Sequence, residues 1–316
     1  MTRVFNPCLE LLTDELREVR NIFPSTTSKE LMTKRLGLAA LVAIALTSLA
    51  PSPKPPIDEQ TRQMLKDWKP RFDQAKLNHL TSGPFIIAGD CDRISLTAYC
   101  NNTVLAAQSA LRRMYIDKDL DHPVLILLIE TDGTYRRLSK DWLNEPNPSH
   151  FGFFQPRRHV MLMNVSTGTG TLVHELTHAL VDPDFSNIPA WFNEGFASLF
   201  EQCTLNDGKI TGLVNWRLPG LQSDIKANKL RPLRDMMNDN DFYAADRVGI
   251  NYAQARYLML YLQEKGLLQK YYRTFRDHAD TDPTGVKTLE SLVGAEKFNE
   301  FENQWRKWVM TLRFEG

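Results

Sequence analysis

The chain has 316 residues, 42% of them hydrophobic and 24% charged, and its 38 basic and 38 acidic side chains give a formal net charge of zero. This length can bury one large core or the two lobes of an enzyme-sized unit. The balanced charge leaves no basic footprint for nucleic acid or an anionic membrane surface; the pairs Arg112-Arg113, Arg136-Arg137 and Arg157-Arg158 are too short to supply one.

Residues 1–31 carry an amphipathic pattern at Leu9, Leu12, Leu16, Val19 and Phe23. A short basic start at 32–35 then leads into an apolar stretch, 36–46, and the small-residue end Thr47-Ser-Leu-Ala50. Read from Met32, these are the three parts of a secretory signal peptide. Translation is then expected to start at Met32, with 1–31 a non-native extension and the mature chain beginning near Pro51. The competing reading is a membrane anchor, for which the apolar stretch is short against the roughly 20 residues a span needs. Both readings place the remainder in a secreted, periplasmic or cell-envelope setting, with membrane contact only through that N-terminal segment. In an oxidising compartment Cys91 and Cys100 are near enough in sequence to pair. As small buried hydrophobes they would equally stay free.

After the Pro-rich run 51–56, periodicity predicts a strand over 85–88 and a helix over 94–115, with apolar positions at Leu96, Val104, Leu105, Leu111 and Met114. The unbroken apolar run 123–129 suits a central strand buried on both faces. A short helix over 135–143 and two extended segments, 151–154 and 158–164, follow. Gly168-Thr-Gly-Thr171 is a flexible lead into the next helix, with Thr169 or Thr171 available as its N-cap. Beyond residue 202 the pattern is mostly helical, notably over 252–265 and 267–277. The expected class is α+β: a mixed sheet with helices over 51–182, then a mostly helical part over 183–316.

The chemistry is concentrated in Thr171-Leu-Val-His-Glu-Leu-Thr-His178. His174 and His178 are four residues apart, so on a helix both rings leave one face and can close on a single ion. Glu175 can reach a metal-activated water without being a ligand. Zinc with two His needs a third protein ligand. Pro183 ends this helix near residue 182, and Pro189 suits the start of a second helix over 190–201. His178 then lies roughly 6 Å before the end of the first helix and Glu194 roughly 7.5 Å into the second. Packed antiparallel about 8–10 Å apart, the two helices bring Glu194 level with His178. Glu201 is the weaker candidate, overshooting His174 by roughly 6 Å on the same arithmetic. His159 is not needed, because the two helices already complete a three-ligand site.

His174-Glu-Leu-Thr-His178 followed by Trp191-Phe-Asn-Glu-Gly-Phe-Ala197 resembles the gluzincin metallopeptidases, whose third ligand is a Glu on the next helix. Only 15 residues separate His178 from Glu194, shorter than the thermolysin and aminopeptidase patterns. The likeness is to a short-spaced branch, and without a convincing exopeptidase motif upstream, aminopeptidase specificity does not carry over. The resemblance implies a zincin-like fold with a cleft between two lobes, Zn²⁺ held by His174, His178 and Glu194, Glu175 as general base, and a peptide or protein substrate. It also implies an edge strand beside the metal that pairs with extended substrate, here 158–164 with Val160, Met161 and Leu162. An ordinary sheet strand, with Val160 and Leu162 on one face and Met161 and Met163 on the other, fits the same residues. Tyr252 resembles the assisting Tyr of the related aminopeptidases in its distance from Glu194, although core packing explains such a Tyr as well. Arg256, one turn later, is a candidate for binding a substrate carboxylate. Asp182 and Ser198, each one turn beyond a ligand, are candidate hydrogen-bond partners of the ligands. The expected function is a zinc-dependent peptidase. The alternative is a catalytically inactive zincin-fold envelope protein acting as a binding or scaffold module.

Overall fold

The computed structural model describes residues 54–315, so the extension 1–31, the signal-like segment 32–50 and the start at Met32 lie outside the described residues. Helix α1 (Ile57–Ala75) begins after Pro56 and stops where Lys76 turns left-handed at φ 57°. β1 (Asn78–Ser82) and β2 (Phe85–Gly89) form an antiparallel hairpin. Its reversal needs Gly83 at φ +54°, a conformation glycine takes without a Cβ clash. Asp92 caps α2 (Arg93–Tyr99) by accepting from the amides of Ile94 and Ser95. A wide π turn over Cys100–Leu105 joins α2 to α3 (Ala106–Met114), so the helix expected over 94–115 runs its course with one bulge. β3 (Val124–Ile129), α4 (Asp132–Leu143), β4 (Gly152–Gln155) and β5 (Val160–Asn164) follow.

The five strands form one mixed sheet in the order β1-β2-β3-β5-β4. β2, β3 and β5 are parallel, while β1 and β4 pair antiparallel at the two edges. The segment expected as a substrate-pairing edge is therefore interior: β5 lies between β3 and β4, and all five of its residues are buried. Val160 and Leu162 face one side with Trp68, Phe72 and Leu138, from α1 and α4. Met161 and Met163 face the other side. An unbroken apolar strand covered on both faces is what a parallel sheet centre requires. Val160, Met161 and Leu162 thus have neither a free strand edge nor exposed side chains to offer a substrate.

The chain continues through α5 (Gly170–Val181), α6 (Ala190–Leu199), a hairpin of β6 (Cys203–Asn206) and β7 (Lys209–Gly212), then α7 (Leu218–Lys226) and α8 (Leu233–Met237). α9 (Val248–Glu264), α10 (Leu268–His278), α11 (Val286–Val293) and α12 (Phe298–Thr311) complete it. One hydrophobic core runs from Phe85 and Ile126 of the sheet through Leu176 of α5 and Phe192 of α6 to Tyr272 and Trp305. From Pro55 onward the chain forms one compact unit, so the sheet-rich and helical parts share that core. Cys91 and Cys100 are both buried free thiols, and burial, reinforced by the Glu130 charge, pushes Cys91 up to about 11. Among the described residues no helix is long and apolar enough to cross a membrane.

Candidate metal centre

Two contacts set the register of α5 against α6. At one end Gly170 lies so close to the main chain of Glu201 that a Cβ there would sit 2.2 Å from its carbonyl oxygen. At the other end the reversal is held by Asp184, whose side chain is fully buried. Its carboxylate accepts from the amides of Asp117 (3.0 Å) and Lys118 (2.9 Å), from the Tyr272 hydroxyl (3.0 Å) and from the Arg276 guanidinium (3.0 Å). With both ends fixed the helices run antiparallel, and His178 comes opposite Glu194. Gly195 then allows α6 to close on α9: a Cβ there would lie 2.9 Å from Ala255 Cβ and 3.0 Å from its carbonyl carbon.

His174, His178 and Glu194 converge as a candidate metal-holding group. The two Nε2 atoms are 3.0 Å apart, and Glu194 Oε2 stands 3.5 Å from that of His174 and 3.4 Å from that of His178. A point equidistant from three atoms so spaced lies about 1.9 Å from each, and a small rise out of their plane gives about the 2.0–2.1 Å that zinc requires. Glu194 Oε2 is also buried without a hydrogen-bond partner, a costly state for a carboxylate oxygen unless a cation occupies it. The donor set therefore fits a zinc-type ion.

Of the other ring nitrogens, that of His178 is held by a hydrogen bond, whereas buried His174 Nδ1 has no hydrogen-bond partner. His178 Nδ1 lies 2.9 Å from Asn193 Oδ1, an acceptor for an Nδ1–H, which makes Nε2 the nitrogen that would face an ion. His174 Nδ1 faces Glu201 Oε1 at 3.6 Å. Glu201 in turn accepts two bonds from Arg217, at 2.7 and 3.0 Å, and one from Asn215 Nδ2 at 3.0 Å. Glu201 does not overshoot, as continuous-helix arithmetic predicted, because α6 ends at Leu199 and Phe200 leaves helical geometry at φ −94°, ψ 3°. The resulting turn places its carboxylate behind His174.

Two expected partners take no such role. Asp182 is exposed, and Asn193 holds His178 in its place. Ser198 is buried, but its hydroxyl has no hydrogen-bond partner; its carbonyl accepts instead from Arg256 Nε at 2.9 Å. Arg256 itself is fully buried and also donates to the carbonyls of Leu199 and Leu213. It satisfies main-chain oxygens that the C-terminus of α6 would otherwise leave unpaired, and is closed off from any substrate carboxylate.

A cleft of about 720 Å³ opens on the centre, and His174, Glu175, Tyr252, Arg217, Trp216 and Gly152 are among the residues lining it. Arg217 lies over the Trp216 ring at 4.1 Å and the Tyr252 ring at 5.1 Å. Burial raises Glu175 above the ordinary carboxylate range, against the lowering pull of His174 and His178. Burial would also raise Glu194, but the two imidazoles that face it at 3.4 and 3.5 Å hold it well below that range. Burial would lower His178, yet the Glu194 carboxylate 3.4 Å away carries it up to about 9. Burial, then the Glu194 charge, keeps Tyr252 protonated far above neutral pH. Sequence reasoning missed Tyr243, whose hydroxyl donates to Glu194 Oε1 at 2.6 Å. It stands in a polar, aperiodic stretch that carries no local signal. Against known proteins, no family model and no curated sequence matches the chain.

Proposed function

We propose that the protein is a zinc-dependent peptidase of zincin-like fold. One observation carries this reading: two imidazoles and one carboxylate converge on a single point, and Glu175, a carboxylate outside that set, lines the adjoining cleft. A zinc ion held by His174, His178 and Glu194 would supply Lewis acidity, polarising a carbonyl and acidifying water. Glu175, its proton affinity raised by burial, suits a base that takes a proton from water and returns it to the leaving amine. Tyr252 retains its phenolic proton and lines the same cleft, so it can donate to a carbonyl oxygen as negative charge develops there. Substrate backbone is best accommodated by β4, the sheet edge whose Gly152 lines the cleft, because strand addition binds extended peptide irrespective of sequence. That role moves from 158–164 to 152–155.

The test compares wild type with Glu175→Gln on a mixed peptide library, with zinc measured in both by mass spectrometry. Equal zinc with about 10²–10⁴-fold slower cleavage in the variant is expected, the range for a general base. Zinc uptake without cleavage by the wild type would favour a binding or scaffold module. Cleavage by the variant at the wild-type rate would overturn the mechanism.

A further inference from the structure

We infer that Tyr243 is a positioning residue that confines Glu194 to a single ligating oxygen. This rests on the zinc reading of the site and extends it to a residue outside the two metal helices. The two carboxylate oxygens of Glu194 are divided between two tasks. Oε1 accepts the Tyr243 hydroxyl at 2.6 Å, and Oε2 faces the two Nε2 atoms at 3.4 and 3.5 Å with no hydrogen-bond partner of its own. A hydroxyl bond this short to an ionised carboxylate is charge-assisted. It draws negative charge toward Oε1 and occupies the lone pair that would otherwise swing toward an ion. An unrestrained carboxylate can chelate with both oxygens, and the second would fill a position that a catalytic zinc site keeps open.

The segment carrying Tyr243 is built to deliver the hydroxyl. Residues 238–247 connect α8 to α9, and Phe242 roots them in the core at 1% exposure. The Phe242 carbonyl accepts from Asn251 Nδ2 at 2.7 Å. Asp239 takes Arg231 at 2.7 Å and Arg247 at 3.1 Å, tying both ends of the segment together. Tyr243 itself is 53% exposed. Its ring meets Phe242 edge to face at 5.4 Å, and its hydroxyl is spent on Glu194.

Tyr243→Phe removes only the hydroxyl and leaves the half-exposed ring, so the fold should survive. The thermal midpoint should fall by no more than about the few degrees that one hydrogen bond is worth. The experiment loads wild type and variant with cobalt(II) in place of zinc and records the visible absorption spectrum, then measures kcat and KM of the zinc forms. The variant is expected to lose visible intensity as a further oxygen enters the coordination sphere. Its kcat should fall about 10-fold or more, the usual cost of removing an outer partner of a ligand, with KM changed less than about twofold. Loss of the metal altogether from a variant that still melts cooperatively, within a few degrees of metal-free wild type, would equally show that Tyr243 positions Glu194. An unchanged spectrum together with an unchanged kcat overturns the inference about Tyr243 and leaves the metal site standing. Failure of the wild type to take up cobalt or zinc overturns the zinc reading itself.

Discussion

Gly195→Ala tests the architecture of the centre with a single methyl group. The added Cβ would meet Ala255 Cβ at 2.9 Å, its carbonyl carbon at 3.0 Å and its carbonyl oxygen at 3.1 Å. Carbon atoms ordinarily stop at about 3.5–4.0 Å, and none of these neighbours is the free end of a flexible side chain. α6 must therefore back away from α9 by roughly 0.6 Å or more. Overpacking of this kind costs about 1–3 kcal/mol, offset by the ~1 kcal/mol that Ala gains over Gly inside a helix. The net loss of about 1 kcal/mol should lower the thermal midpoint by about 2–4 °C. Zinc should suffer more, because Glu194 is the preceding residue and ligand distances tolerate only about ±0.2 Å. Differential scanning calorimetry and metal analysis on the purified variant measure both effects. Ala255→Gly in the same chain should restore part of each, since it removes the closest of the three contacts. A variant with wild-type midpoint and full zinc content would refute the claim that the α6–α9 approach sets the position of Glu194.

Glu194→Ala should lose zinc and activity together, whereas Glu201→Gln should keep the metal while binding it about 10-fold more weakly; loss of zinc from the second with retention by the first, in a chelator competition, would reverse their roles. Asp184→Asn should destabilise the protein at neutral pH by about 3 kcal/mol, as when one partner of a buried ion pair is removed. Burial would raise the Asp184 carboxyl, but Arg276 and the amides of Asp117 and Lys118 hold it below its ordinary value. Its stabilisation is thus complete above the unfolded pKa of about 3.9 and fades as pH falls through the lower folded value. Urea melts at pH 7, 5 and 3 should show the gap between wild type and Asp184→Asn narrowing on acidification; a constant gap would contradict the assignment.

The convergence of His174, His178 and Glu194 was legible because each depends on local spacing. A four-residue interval on a helix puts two rings on one face, and two helices bounded by Pro183 and Pro189 fix where the third ligand returns. The run at β3 could be read for a similar reason, since unbroken apolar sequence admits little besides a strand covered twice. The placement of β5 could not, because alternation of side chains says nothing about which strands pair on either side; that is decided by the helical crossovers. β1 escaped because Asn78–Ser82 is a polar, half-exposed edge without apolar alternation. Arg256 misled because a charge on a helix ordinarily marks a wet face, whereas α9 is buried from Ala253 to Leu262 and the orphan carbonyls of α6 supply the acceptors. Asn193 was in view beside Glu194, but its use depends on the rotation of α6. Tyr243 reaches Glu194 across 49 residues, and only tertiary folding makes them neighbours.

The clamps at the two ends of the α5–α6 hairpin bear on how the centre would acquire its ion. In a zinc finger the ligands are scattered until the metal gathers them, so binding and folding are one event. Here Asp184 and Gly170, neither of them a ligand, hold the hairpin in register through the rest of the core. The entropy of assembling the three donors would then be spent during folding, and an ion bound as proposed would meet a preorganised chelate. Affinity for such an ion would depend on groups outside the chelate as well as on the chelating atoms.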